Sequence, residues 1–456
     1  MSNSERLDLT IDVLGTQVPE RSPTIKWTDG HITVLPAIYN DSNINLCDEV
    51  DIPLIKFMAQ CPTSNACSIR VSHMRNEDLS APNILNAIAD SLSMNKCVVI
   101  TGVPHKSSRG MLTDEYLDVE FGISPLRPVC IHDAQTRCDD HVNPTIHGNI
   151  HSFMTSMWDN TKIQCILDIS LAHISMPEAL RNLDHGLVHG WNQTTTCVPI
   201  RSYVHPDNFT TKGWALLHHA GFLTYPHHDA EGTLTWVRME AGIKFWVIFS
   251  LKSGEKNRIA LQDLSVRLAD YARHKTWIHK NCDGEVLTLV PGDLLILPPG
   301  VVHAVYTPVP SFSTGGHFYH YSCMHLTEVS RYIDAEVGGS ATNQAMDHAL
   351  ETLRRMVIML PYLSLRLVLP RRSLLSLCMM ACQGRQYRAA GSNATSVEDT
   401  ETAAPCFDIV QIVYQYLGIT KRKRAGDILY IGDQLHPGIA VDRVELLRLF
   451  KDNLDL

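Results

Sequence analysis

From about Trp214 to Cys323 the chain is a succession of short β-branched and aromatic runs punctuated by Gly and Pro: "WALLHHAGFLTY", "TLTWVRM", "GIKFWVIFS", "EVLTLV", "LLILPPG", "VVHAVYTP" and "GGHFYHYSC". Runs this short, bounded by turn residues at close intervals, read as the strands of an all-β barrel or jelly roll. Alternation in "TLTWVRM" gives that strand one wet and one packed face. Upstream, "APNILNAIADSLSMN" reads as a helix leading into a buried strand, "CVVITGV". Downstream, "ATNQAMDHALETLRRMVIML" carries apolar residues at helical spacing until Pro361 ends it. The expected class is therefore α+β, a jelly-roll core with flanking N-terminal and C-terminal helices. An extension over 1–80 precedes a domain over 81–330, whose β core occupies about 210–325. A helical segment over 331–383, a polar linker over 384–405 and a C-terminal helical segment over 406–456 follow.

With 456 residues, 45% of them hydrophobic, the chain can bury a sizeable core and form two or three domains. A formal charge of -9 argues against coating phosphate backbones and favours basic partners. The start, "MSNSERLDLTIDVLG", lacks the basic-then-apolar pattern of an export signal, so an intracellular location, nuclear or cytoplasmic, is expected. The apolar stretch from Met356 is broken by Arg366, Arg371, Arg372 and two prolines and reads as buried helix packing, with no membrane span. Thirteen cysteines without a CxxC pair read as reduced thiols, and Cys378 and Cys382, on one helix face, read as core. "KRKR" at 421–424 reads first as solvated charge and second as a nuclear import signal.

The chemistry concentrates in "FLTYPHHDAEG" at 222–232. A non-haem iron(II) oxygenase needs two neutral imidazoles and one carboxylate on one face of the ion, commonly as H-x-D/E plus a distant His. With 23 histidines and 48 acidic residues, about two or three such short matches arise by chance. There are two. His205-Pro206-Asp207 has the polar, proline-containing surroundings of a turn. His227-His228-Asp229 ends a strand, where alternation puts His227 and Asp229 on one side and turns His228 away. His303, in a later β-branched strand, is the candidate third ligand. Lys244, in "AGIKFWVIF", is costly in an apolar strand unless it meets an anion such as a dicarboxylate cosubstrate, and Thr224 offers a hydroxyl to the same carboxylate.

The ordered set Thr224, His227, Asp229, Trp236, Gly242, Lys244 and His303, followed by "GGHFY", resembles the Jumonji C family of Fe(II)- and 2-oxoglutarate-dependent oxygenases over about Cys97 to Cys323. Its spacings look like the lysine-demethylase branch associated with plant-homeodomain fingers and F-boxes. The resemblance implies a cupin-like double-stranded β-helix, with iron held by His227, Asp229 and His303. It implies 2-oxoglutarate bound by Lys244 and Thr224, with Trp236 counted among the cosubstrate-site residues. The implied reaction uses O2 to hydroxylate or demethylate a protein or peptide side chain, a histone tail among the candidates, releasing succinate and CO2. Val237 stands where that branch tends to have tyrosine, His317 where it has asparagine, and Asp168 where an asparagine would approach the cosubstrate. No zinc-finger spacing accompanies the domain. The competing reading is a catalytically silent scaffold; a cupin-like metal enzyme without 2-oxoglutarate ranks third and would not need Lys244.

Overall fold

The computed structural model describes residues 8–9, 23–104, 112–139, 143–157, 159, 161–171, 176–193, 213–255, 257–338, 348–360, 363, 369–387, 402–416, 420–421, 428–433 and 436–442. Strands β1 (Asp8–Leu9), β2 (Thr24–Lys26) and β3 (Ile32–Val34) form a small N-terminal sheet. Next come β4 (Val71–Arg75), β5 (Cys97–Thr101), β6 (Pro128–Asp133), β7 (Thr145–Asn149) and β8 (Gln164–Ser170). The Gly- and Pro-punctuated region supplies β9 (Trp214–His218), β10 (Phe222–His227), β11 (Leu234–Ala241), β12 (Lys244–Leu251), β13 (Cys282–Leu289), β14 (Leu294–Leu297), β15 (His303–Thr307) and β16 (Ser311–Phe318).

From β9 onward the chain distributes its strands between two sheets. One has four strands in the order β10-β15-β12-β13; the other has nine, in the order β4-β5-β14-β11-β16-β9-β8-β6-β7. The larger sheet is mixed, since β4 and β5 are parallel whereas β11 is antiparallel to both of its neighbours. The protein is thus α+β, with a strand order compatible with a jelly roll. Inward residues of both sheets, among them Val237, Met239, Trp246, Leu287, Leu295 and Val305, form one buried cluster. The outer face of the small sheet is covered from the N-terminal region, where Trp27 stacks on Phe245 with ring centroids 4.1 Å apart. The outer face of the large sheet carries Leu234, Trp236, Ile296 and Phe318, packed against the helix Ile84–Ser93. Alternation along each strand produces this division, because successive side chains leave on opposite faces.

Several details differ from the sequence reading. "WALLHHAGFLTY" is two strands, parted at Gly221, whose φ of 83° lies in the left-handed region open to glycine. Two helices, Arg258–Ala269 and Tyr271–Asn281, interrupt the β region between β12 and β13. The large sheet takes β4 from the stretch expected as an N-terminal extension. Among the described residues of the C-terminal segment, expected to be helical throughout, only Ala403–Tyr416 is helix; β17 (Thr420–Lys421), β18 (Ile428–Asp433) and β19 (His436–Asp442) pair as a small antiparallel sheet. "ILYIGD" and "GIAVD" alternate with period two around β-branched residues, a strand pattern that the neighbouring helical periodicity obscured.

The helices Ala349–Met359 and Arg371–Cys382 bury Leu353, Met356, Leu377 and Cys378 in a common cluster, as expected of the apolar stretch around Met356. The described cysteines are all free thiols. No helix among the described residues is long and apolar enough to cross a membrane. Most of the 384–405 linker, His205-Pro206-Asp207 and residues 422–424 of "KRKR" lie outside the described residues.

Candidate metal centre

The antiparallel pairing of β10 with β15 sets His227 opposite His303, and the ladder slips between Thr224 and His227, a bulge that re-aims the end of β10. The two imidazole centroids are 4.4 Å apart. Asp229, two residues past His227, places Oδ1 4.0 Å from His227 Nε2. One ligand atom from each of His227, Asp229 and His303 lies within 4.8 Å of the others, and no other group of His, Cys, Asp and Glu among the described residues meets this condition.

Backbone carbonyls fix both rings. His227 Nδ1 lies 2.8 Å from the carbonyl of Tyr225, and His303 Nδ1 lies 3.0 Å from that of Val301. A carbonyl only accepts, so each Nδ1 carries the proton and each Nε2 keeps a lone pair for a ligand. Burial, helped by the neighbouring His303, pushes His227 down to about 4, so its ring is neutral at pH 7. Burial alone would raise Asp229, but His303, His317, His227 and a hydrogen bond from Thr235 outweigh it and hold the carboxyl below its usual range. Thr235 Oγ1 also lies 2.9 Å from His317 Nδ1, so this hydroxyl links His317 to Asp229. Trp246 stacks on His303 at 5.1 Å, packing the ring from the space between the sheets.

Deeper between the sheets, Lys244 is 1% exposed, and its Nζ donates to His218 Nδ1 across 3.0 Å. Burial pushes the lysine down to about 7 and holds His218 well below the ordinary histidine range. Alternation places Thr307, Ser311 and Ser313 on the same inward side as Val305, His218 and Leu216, and their hydroxyls are buried without a hydrogen-bond partner. The indole N–H groups of Trp214 and Trp246 are likewise unpaired. Buried polar groups ordinarily find partners, so an apolar-walled interior with an ammonium and several orphaned hydroxyls has the donor set for an anionic, oxygen-rich guest. Thr224 pairs with Val305 and shares that side.

These residues fit the groups the family resemblance implies. Two imidazoles, each with its Nδ1 tied to a carbonyl, and a carboxylate form the nitrogen- and oxygen-donor set of a non-haem iron(II) site. Lys244, Thr224 and the unpaired hydroxyls suit a dicarboxylate. Asp168 is a complication, exposed at its surface but ringed by protein: desolvation and the nearby charge of Asp229 raise its carboxyl to about 6. Its φ of 57° is left-handed, at the slip in the β8–β9 ladder between Ile166 and Ile169.

Trp236 requires a correction. The family resemblance counts it with the cosubstrate residues, but it lies on the outer, helix-covered face of β11, whereas Thr235 and Val237 face inward. Gly316 explains its place in the motif: a Cβ there would meet Trp236 Nε1 at 2.6 Å, while one at Gly315 would meet the Trp214 ring at 2.1 Å. The glycine pair lets one tryptophan lie on each side of β16. Thr235 and His218 were missed, though both were within reach of the period-two rule: "TLTWVRM" puts Thr235 opposite in facing to Trp236, and "WALLHH" puts His218 inward. His219 turns outward to the carbonyls of Lys162 and Phe153. His228 likewise turns away from the centre, its Nε2 2.6 Å from Asp334.

Two facing sheets that hold a His-Asp-His cluster, with a buried lysine between them, are the class of site that the fold and the side chains define. No family model matches the chain. It is 34% identical over 110 residues to "JmjC domain-containing histone demethylation protein 1" of Caenorhabditis elegans and 33% identical over 110 residues to the protein of that name from Caenorhabditis briggsae. It is 34% identical over 110 residues to the like-named protein of Cryptococcus neoformans var. neoformans serotype D. Each match takes in 24% of this chain, and it spans only 10%, 10% and 12% of the respective relatives. These distant relatives support a place for the chain in the JmjC family.

Proposed function

We propose that the protein is an Fe(II)- and 2-oxoglutarate-dependent oxygenase, built on a double-stranded β-helix, that hydroxylates or demethylates a protein side chain. The observation that carries this reading is the convergence of His227, Asp229 and His303 with both Nδ1 atoms tied to carbonyls. His227 Nε2, His303 Nε2 and an Asp229 oxygen would hold the metal, while Lys244 and Thr224 would hold the distal carboxylate of the cosubstrate. The iron, with 2-oxoglutarate and O2, supplies the oxidation of a substrate C–H bond as succinate and CO2 are released. The inward apolar cluster of Val237, Met239, Trp246 and Val305 excludes water from that chamber.

The names of the relatives favour a methylated histone as substrate, and with it a nuclear location. A chain of net charge -9 with Asp168 near the metal residues suits a basic peptide.

The test is succinate formation from 2-oxoglutarate by the purified protein with Fe(II) and ascorbate, beside His227→Ala. Turnover that the variant lacks is expected, and equal turnover in both rejects the site. Failure to bind either metal or 2-oxoglutarate supports instead a silent scaffold. With a methyl-lysine peptide, formaldehyde release marks demethylation, and a stable gain of one oxygen marks hydroxylation.

A further inference from the structure

The loop that carries two of the three candidate ligands is fastened from outside the barrel. The helix Met324–Val337 presents Thr327, Arg331 and Asp334 at i, i+4 and i+7, hence on one face. That face meets residues 228–232. Asp334 Oδ1 lies 2.6 Å from Nε2 of His228, which is 1% exposed at its side chain, and Asp334 Oδ2 accepts the Glu231 backbone N–H at 3.1 Å. Arg331 Nε donates to Glu231 Oε2 at 3.0 Å, and the Tyr319 hydroxyl donates to the Glu231 carbonyl at 3.0 Å. A Cβ at Gly232 would stand 2.4 Å from the Thr327 carbonyl, so the turn lies directly against the helix backbone.

Glu231 has φ 56°, a left-handed conformation unfavourable for a residue with a Cβ, and its backbone N–H, backbone carbonyl and carboxylate are all engaged by these partners. Such a conformation persists only where its surroundings over-determine it. His228 Nδ1 is buried with no hydrogen-bond partner, so the single bond to Asp334 sets the orientation of this ring. His228 lies between the candidate ligands in sequence, and alternation sends its side chain the opposite way.

We propose that Asp334 is a positioning residue for the metal centre: by holding His228 and the Glu231 amide it fixes the path of the chain through His227 and Asp229. Metal binding is thereby coupled to docking of the helix Met324–Val337 on the barrel. This rests on the metal reading above. Ligands gain affinity when outer partners orient them, and loss of such partners costs about 10- to 100-fold in metal affinity.

The experiment uses the full chain and Co(II) as the probe, read by titration and by its visible absorption. Asp334→Ala is expected to weaken Co(II) binding at least about tenfold and to alter the spectrum. Asp334→Asn, which keeps an acceptor for His228 but brings an N–H group toward the Glu231 amide, is expected to fall between parent and Ala; it carries the test if the Ala variant does not fold. Leu117→Ala, in a buried cluster to which neither the loop nor the helix Met324–Val337 contributes, serves as the stability control. It is expected to lower the melting temperature with Co(II) affinity unchanged. Parental affinity and spectrum in the folded Asp334 variants overturn the proposal, as does an equal loss of affinity in Leu117→Ala. A parent chain that binds no Co(II) sinks the metal reading itself, and the inference with it.

Discussion

Lys244 and His218 face one another from different sheets, Nζ to Nδ1 3.0 Å, in an interior where Lys244 is 1% exposed. Neutral His218 can accept from the ammonium but cannot neutralise it, so below about pH 7 the lysine is a cation with no buried counter-charge beside it, suited to an anion.

The protonation of Lys244 gives the first prediction. Burial pushes its pKa down to about 7, whereas the unfolded chain keeps the proton to near the ordinary 10.5. Between these values the unfolded chain binds more protons, so the stability of the metal-free protein gains with pH, by up to about 1.4 kcal/mol per unit from this group. Below pH 7 both states carry the proton and the contribution is flat. Lys244→Met should therefore exceed the parent in stability at pH 6, with the gap closing by pH 9 to 10, as measured by urea unfolding. Affinity for 2-oxoglutarate should fall in the parent as pH rises above 7, approaching about tenfold per unit, because binding must then recruit a proton.

Thr235 carries the second. Its hydroxyl joins Asp229 to His317, so Thr235→Val removes a bond to a candidate ligand while nearly preserving volume. Metal affinity should fall by about tenfold, as read by Mn(II) titration, with secondary structure intact by circular dichroism. Unchanged affinity would show that Asp229 is oriented without this hydroxyl.

How far the sequence discloses this site follows from what periodicity can and cannot encode. The strands of the two sheets are legible because Gly and Pro bound them, and the pairing of His227 with Asp229 and the turning away of His228 follow from alternation alone. The spacing of Trp236 matches the family motif but carries no information on its facing: alternation sets it opposite Thr235 and Val237, and the packing of the two faces decides that it lies outside. The helices Arg258–Ala269 and Tyr271–Asn281 were overlooked because their charged, weakly amphipathic sequence resembles a long loop between strands. Asp334 had no local signature whatever. It lies 106 residues from His228, and only the packing of the helix against the loop brings them together.

Trp236 supplies the third prediction. As an outer-face core residue it should matter to stability and not to the cosubstrate. Trp236→Phe is expected to cost about 1–3 kcal/mol in unfolding free energy through the cavity it leaves. The dissociation constant for 2-oxoglutarate should stay within about twofold of the parent, given the separation of this face from the chamber. A selective loss of cosubstrate affinity with unchanged stability would return Trp236 to the binding site.

Asp168 supplies the fourth. Its carboxyl, raised to about 6 by desolvation and by Asp229, is mostly ionised at pH 8 and mostly protonated at pH 5. An ionised carboxylate near the metal residues repels an incoming dianion, whereas the protonated group does not. Asp168→Asn should therefore bind 2-oxoglutarate more tightly than the parent at pH 8, by roughly threefold to tenfold for a partly screened like-charge contact. Because the folded pKa is raised, the penalty fades as pH falls through about 6, and the two proteins should bind alike at pH 5. If the carboxylate instead recruits a basic substrate, the same variant should raise the KM for a cationic peptide at pH 8, even as it tightens the cosubstrate. Measuring both constants on one variant separates repulsion of the cosubstrate from attraction of the substrate. An Asp168→Asn protein that changes neither constant at either pH would place this side chain outside the reaction chamber.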